Sequence, residues 1–140
     1  MMTSTLMLSP GTRSTIGVLL LTVVAIESGG WFMLRVLRGR QPSTSFQQAF
    51  FRAGHAHAGV LVILALVSQI LISATHVGGV LGFFATNGIW AAAILMSAGF
   101  FLSAMGRNVT APNRFIFVLY LGAVSLAAGV ISLGLGLLAA

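Results

Sequence analysis

Four long apolar stretches, separated by short polar connections, dominate this sequence. They lie at about 15–36, 50–74, 80–105 and 115–138. An α-helix needs about 20 apolar residues to cross the hydrocarbon core of a bilayer. The pattern therefore predicts an all-α fold, with residues 1–140 forming one integral membrane bundle of four transmembrane helices.

Charged residues are too few to cover the surface of a soluble domain. They make up 6% of the chain, whereas a soluble domain carries about 25%. The four stretches leave no length for a soluble domain, so we expect any activity within the bundle or at its lipid interface. The chain has no cysteine, which excludes disulfides, thiolate metal ligands and cysteine nucleophiles.

The first stretch is the weakest of the four, because Glu27-Ser28-Gly29-Gly30 interrupts it. A secretory signal peptide is the alternative interpretation, since Arg13 precedes an apolar run of suitable length. No convincing cleavage site of the small-x-small type follows, and the sequence is apolar again from Trp31. We therefore predict that this stretch spans the membrane.

The arginines lie mostly on one side of the predicted bundle. Six of them flank the first and third connections: Arg35, Arg38, Arg40, Arg52, Arg107 and Arg114. Only Arg13 lies on the other side. The positive-inside rule then predicts a cell-membrane protein with connections 38–49 and 106–114 in the cytoplasm and both termini outside. The net charge of +6 is therefore expected to contact lipid headgroups of the bilayer, and no nucleic acid.

Small residues recur along the last stretch at helical spacing. Ala123 and Ala127 are four residues apart, as are Ser125 and Gly129, and Gly122 precedes Gly129 by seven. Such spacing lets helices approach closely, either within a bundle or between subunits. We expect a homo-oligomer, and the spacing leaves the number of subunits open.

Glu27 and Tyr120 are the single acid and the single phenol of the chain. An ionisable residue inside a span is a functional candidate by default. Glu27 would serve as a proton site, as a counter-ion for a cationic substrate or as a hydrogen-bond partner of a histidine. The alternative is a structural carboxyl that fills a polar gap. Tyr120 would donate a proton or simply fill space.

Two histidines open the second stretch, in the segment Arg52-Ala53-Gly54-His55-Ala56-His57-Ala58-Gly59. Residues two apart on a helix are separated by about 200°, so His55 and His57 are predicted to face opposite sides and not to share one metal ion. A neutral imidazole among alanine and glycine suits axial ligation of haem iron, because a flat macrocycle must approach the helix closely. The alternative is a pair of interfacial histidines whose rings reach the headgroups.

The third connection lies at the same predicted end of the bundle as these histidines. Its Arg107, Asn113 and Arg114 would bind acidic groups, either haem propionates or lipid phosphates. The alternative is a helix-capping turn with arginines that face the lipid.

The second stretch from Arg52 to Val67, with Gly99-Phe100-Phe101 and Pro112-Asn113-Arg114, resembles the small four-span family of styrene oxide isomerase. Hydroxylaminobenzene mutase is a more distant relative of the same design. In that family a histidine of the corresponding segment is the axial ligand of a haem b held between the subunits of a trimer. The segment Ala56-His57-Ala58-Gly59 matches best, so the resemblance implies a haem b cofactor with His57 as its metal ligand. The further residues predicted to contact this cofactor are His55, Gly59, Arg107, Asn113 and Arg114.

Three positions depart from the family pattern. The family has an asparagine, an acid and a tyrosine where this chain has Ile63, Ala93 and Phe101. Those groups are thought to orient the epoxide, so Glu27 and Tyr120 become the candidate catalytic residues here. The resemblance implies an isomerase in which ferric haem acts as a Lewis acid on the oxygen atom of a small apolar substrate.

Two other functions are compatible with the sequence. A small transporter would use Glu27 as a site coupled to a proton or another cation. An accessory subunit of a membrane complex would have no site of its own, and it would co-purify with a larger partner.

Overall fold

The computed structural model describes residues 8–140, which form four long α-helices. They are α1 (Pro10–Leu37), α2 (Ser45–Leu71), α3 (Gly79–Ser103) and α4 (Ile116–Leu138), and a 3-10 turn at Ile72–Ala74 extends α2. Each helix is long and apolar enough to cross a membrane. The predicted four-span, all-α fold of a multi-pass membrane protein is therefore confirmed.

Two helices begin about five residues earlier than the hydropathy pattern indicates. α1 starts at Pro10. The side chain of Ser9, the residue before it, accepts a hydrogen bond from a backbone N–H of the first turn. α2 starts at Ser45, where Thr44 and Gln47 form a reciprocal capping box. Polar caps satisfy the free N–H groups of a first turn, so these helices extend beyond their apolar segments.

α3 and α4 form the closest helix pair of the bundle. A methyl group added at Gly88 would stand 2.7 Å from the Cα of Gly129, and one at Gly122 would stand 2.7 Å from the backbone nitrogen of Met96. The Ser125 hydroxyl donates to the carbonyl oxygen of Gly88 at 2.8 Å. The two backbones are therefore in contact, which confirms close packing of the small residues at Gly122, Ser125 and Gly129.

Ala123 and Ala127, the other small pair of this span, lie on the exposed face of α4. Ala123 follows Gly122 by one residue and so lies about 100° further around the helix. For that reason only one of the two sets faces α3.

α2 is connected to α3 near both of its ends by glutamine side chains. The Gln47 amide nitrogen donates to the carbonyl oxygens of Ala104 and Gly106, each at 3.0 Å. At the other end, the Gln69 amide nitrogen donates to the carbonyl oxygen of Thr86 at 2.7 Å. These bonds hold α2 and α3 in register, and they bring the two arginine-flanked connections to one end of the bundle.

α1 packs mainly on α2 and is the least buried helix. Its buried residues are Leu19, Met33 and Val36, and the rings of Phe32 and Phe51 meet edge to face with centroids 5.4 Å apart. Because α1 does not pack closely on α3, a groove remains between these two helices.

The glycine contact between α3 and α4 leads to a first prediction. In Gly129→Ala the new methyl group would stand 2.9 Å from the backbone nitrogen of Ile89, so we expect a loss of about 1–3 kcal/mol of unfolding free energy. The matched control is Gly134→Ala on the same helix, where an added Cβ meets nothing within 4 Å. Equilibrium unfolding in mixed micelles, followed by circular dichroism, measures the unfolding free energy of both variants. Equal stability of the two variants would contradict the packing described here.

Candidate functional site

A cavity of about 540 Å³ lies between α1 and α3, with α2 as its floor. We call it the α1–α3 groove. Its lining on α1 extends from Ser14 to Gly29, a length of about 23 Å along the helix axis. Trp90, Ala93 and Phe101 line it from α3. The groove is thus long, apolar and placed at the depth of the membrane.

Hydroxyl groups of α1 line part of the groove but are already engaged. Ser14 donates to Pro10, Thr15 to Gly11 and Thr22 to Leu19, in each case to a carbonyl oxygen of the same helix. Such local bonds satisfy the hydroxyl donor without help from a ligand. Among the described residues that line the groove, only His55 and Ser97 have polar side chains without a hydrogen-bond partner.

His55 is the one titratable side chain among the described residues that line the groove. Its imidazole lies against α1, where a Cβ added at Gly29 would stand 3.3 Å from Nδ1 and one at Gly30 would stand 3.6 Å from Nε2. The glycine pair that weakens the first apolar stretch therefore makes room for the His55 ring.

Ser97 contributes the second unengaged polar group. Its hydroxyl oxygen is buried and has no hydrogen-bond partner among the described residues. Ser97 lies four residues before Phe101 on α3, so the two side chains share one face of the helix about 6 Å apart. A buried hydroxyl without a partner is unfavourable. Because Ser97 lines the groove, rotation of its side chain toward the groove would let a ligand atom satisfy this hydroxyl.

His57 lies on the other side of α2, as the 200° separation predicts. Its ring packs on Phe100 with centroids 4.9 Å apart, and Nδ1 lies 2.8 Å from the carbonyl oxygen of Ala53. A carbonyl oxygen can only accept, so Nδ1 carries the hydrogen, and in the neutral ring the lone pair is then on Nε2. This is how proteins orient a histidine that binds a metal through Nε2.

The donor chemistry at His57 fits a prosthetic group held by one imidazole. Within residues 8–140 no group of three or more His, Asp or Glu is close enough to hold a bare metal ion. Haem iron needs only one protein ligand when its other axial position stays open. Gly59, also predicted at this cofactor, has open space around it. It lies about 200° around α2 from His57 and so shares the face of His55, not that of His57.

The predicted cofactor residues of the third connection differ in whether their side chains are already bonded within the protein. The Asn113 side chain donates to the carbonyl oxygen of Leu102 at 2.9 Å and accepts from the backbone of Phe115 at 2.8 Å, so it closes the turn between α3 and α4. Arg107 is exposed, and the guanidinium of Arg114 lies over the Phe115 ring at 5.4 Å. The two arginines are therefore free to meet acidic groups, while the Asn113 amide is engaged in the loop.

Glu27 and Tyr120, the predicted catalytic residues, are both exposed and do not line the groove. Tyr120 is 62% exposed on the outer face of α4. Glu27 is exposed, and it lies about 100° around α1 from Ile26, which packs against the core residues of the bundle. The structure therefore brings neither residue to the α1–α3 groove.

Several groove residues were not identified as site residues from the sequence. Ser97 stands within the third span, six residues before the end of α3, and the cost of a polar side chain inside a span was a usable signal. Ala93 and Phe101 stand where the isomerase family has an acid and a tyrosine, and both line the groove with His55. Their apolar side chains give no chemical signal, so only the fold shows that they meet.

Comparison of the chain with models of protein families, with curated proteins and with solved structures gave no match. The resemblance to the isomerase family therefore stays a prediction. The geometry of the two histidines and of the groove carries the functional argument.

The unengaged Ser97 hydroxyl leads to a second prediction. Ser97→Ala removes no hydrogen bond, so we expect the unfolding free energy of the protein to stay the same or to rise. The matched control is Ser125→Ala, which removes the bond to Gly88 and should lower that free energy by about 0.5–1.5 kcal/mol. Unfolding in mixed micelles compares the two variants. A larger loss in Ser97→Ala than in Ser125→Ala would show that Ser97 has a structural partner.

Proposed function

We propose that this membrane protein binds a small apolar molecule that carries a polar oxygen atom, in the α1–α3 groove. The observation that supports the proposal is the pairing of an apolar groove with two unengaged polar groups, His55 and Ser97. An imidazole and a hydroxyl each donate or accept a hydrogen bond. An epoxide, carbonyl or hydroxyl oxygen of the ligand is the matching partner.

The bilayer makes these two polar groups decisive for specificity. Lipid tails are as apolar as the side chains of the groove, so an apolar molecule gains little by leaving the lipid for the groove. A hydrogen bond to His55 or Ser97 is, by contrast, not offered by the hydrocarbon core. Ligands are therefore selected by their oxygen atom, and the apolar walls set their size and shape.

Haem b bound through His57 is our second proposal, and it is supported by a separate observation. The hydrogen bond from Nδ1 to Ala53 orients the ring and leaves Nε2 free. A haem iron with an open axial position supplies Lewis-acid chemistry toward an oxygen atom of a substrate. Arg107 and Arg114 lie at the same end of the bundle and would meet the propionates. Since His57 and the groove of one chain lie on opposite sides of α2, the two proposals are tested separately.

The orientation proposed for the protein follows the arginines. The connections 38–49 and 106–114 lie at one end of the bundle, where the Thr44 hydroxyl donates to the carbonyl oxygen of Val109. Their arginines are exposed at this end, which supports its placement on the cytoplasmic side of a cell membrane.

A transporter based on Glu27 and an accessory subunit remain alternatives. The transporter is less well supported, because Glu27 is exposed and does not line the groove. An accessory role would leave the two unengaged polar groups of the groove, His55 and Ser97, without a use.

The groove proposal predicts a fluorescence change at Trp90, which lines the groove. In a Trp31→Phe background Trp90 is the only tryptophan, so its emission reports occupancy. We expect saturable binding of an aryl epoxide or aryl aldehyde, and none of an aryl hydrocarbon of the same size. His55→Ala and Ser97→Ala should each weaken binding by about two- to tenfold. His76→Ala, in the exposed turn before α3, is the control. Unchanged binding in His55→Ala would refute the assignment.

The haem proposal predicts a Soret band in protein purified in mild detergent after expression with haem supplied. His57→Ala should abolish haem retention, while His55→Ala and His76→Ala should keep it. If haem is retained in His57→Ala and lost in His55→Ala, the ligand assignment is wrong. A wild-type protein that stays colourless after haem titration would end the haem proposal and leave the groove proposal standing.

A further inference from the structure

One face of α1 is exposed along much of the helix. Its apolar members repeat at alternating spacings of four and three residues around Glu27. They are Leu20, Val24, Trp31 and Leu34, and all of them are exposed. We call these four residues together with Glu27 the α1 seam. This spacing is the a/d repeat with which two helices pack along their length.

Glu27 is the feature of the α1 seam that lipid cannot cover. It is exposed at the middle of the seam, about 12 Å along the helix from Arg35. A carboxyl that faces hydrocarbon is costly, and intramembrane acids are almost always paired or turned to the interior of a bundle. Within residues 8–140 no ion pair or hydrogen bond to the Glu27 side chain is formed, so the described part of the chain offers this carboxyl no partner.

We infer that a second copy of this chain covers the α1 seam, in a parallel α1–α1 pair in which the two Glu27 carboxyls hydrogen-bond to each other. Two copies inserted in the same orientation present the same face at the same depth, so Glu27 meets Glu27. The pair shares at least one proton taken up from solvent, so that the O–H of one carboxyl donates to a carboxyl oxygen of the other copy. A two-fold pair is self-complementary in this way.

The remaining members of the α1 seam fit the same arrangement. Leu20 and Val24 lie on one side of Glu27 along the helix, and Trp31 and Leu34 lie on the other. Left-handed packing of apolar a/d residues is the common geometry of membrane helices. A polar residue at one such position sets the register of the pair.

The α1 seam is separate from the α1–α3 groove. Leu19 and Ile26, which face the bundle, each precede a seam residue by one position and so lie about 100° away around the helix. Pairing at the seam therefore leaves the groove open, and the inference does not depend on the proposed ligand.

The test uses single cysteines, since the chain contains none of its own. Leu20→Cys lies on the seam, at its N-terminal end, and Leu21→Cys is its neighbour off the seam. Leu21 is more exposed, at 73% against 55% for Leu20, so random collisions would favour Leu21→Cys. Each purified variant is reconstituted in vesicles at low protein-to-lipid ratio and treated with an oxidant. We expect a disulfide-linked dimer in Leu20→Cys and only a background level of cross-linking in Leu21→Cys. Cross-linking of Leu21→Cys at or above the level of Leu20→Cys, or no dimer in either, would overturn the inference.

Variants of Glu27 then test the carboxyl pair itself in the Leu20→Cys background. Glu27→Gln keeps a donor and an acceptor and should keep the dimer. Glu27→Leu removes the interhelical hydrogen bond and should weaken association about three- to tenfold, with helicity unchanged by circular dichroism. A dimer that is equally strong in Glu27→Leu would contradict the role given to Glu27. Ligand binding in the groove, followed by Trp90 fluorescence in the separate Trp31→Phe background, should be unaffected by either Glu27 substitution, which separates this test from that of the groove.

Discussion

The backbone contact between α3 and α4 at Gly88 and Gly129 is the interaction on which the arrangement of the bundle depends. In lipid, burial of apolar side chains does not drive helices together, so close van der Waals contact and interhelical hydrogen bonds must do so. The glycine contact supplies the first, and the bond from Ser125 to Gly88 supplies the second. The other helices have fewer such contacts and pack around this pair.

The weaker attachment of α1 follows from the same rule and explains the groove. α2 is connected to α3 through Gln47 and Gln69, whereas the contacts of α1 with α2 are mainly apolar. Because α3 uses its glycine face for α4, its opposite face, with Ala93 and Ser97, remains open toward α1. A space bounded by three helices is thus left at membrane depth.

Much of the fold was predictable from the sequence, because hydropathy and length alone define spans in a bilayer. The number of helices and their order follow from four apolar stretches, while the early start of α1 and α2 depends on caps formed by Ser9 and Thr44. Helical periodicity also predicted that His55 and His57 diverge. It could not show which of them faces the groove, since that depends on where α1 and α3 pack around α2.

The candidate site was less predictable than the fold, for a physical reason. A polar side chain in a span costs free energy unless it is hydrogen-bonded, but the sequence does not show whether another residue of the chain is its partner. Gln69 and Ser125 have interhelical partners, whereas the Ser97 hydroxyl has none among the described residues. Only the packed helices distinguish these cases. The same holds for Glu27, because its exposure depends on how α1 packs against α2.

The glycine pair at Gly29 and Gly30 shows how one sequence feature serves the site and the span together. In a bilayer the helix is retained because its backbone groups have no water to bond to, so two glycines do not break α1 as they would weaken a helix in water. Their missing side chains admit the His55 imidazole beside α1. A larger residue at Gly29 would displace that ring and would leave Ser97 as the main polar group of the groove. The apparent interruption of the first span is therefore what places an imidazole at membrane depth, where hydrocarbon offers a ligand no competing hydrogen bond.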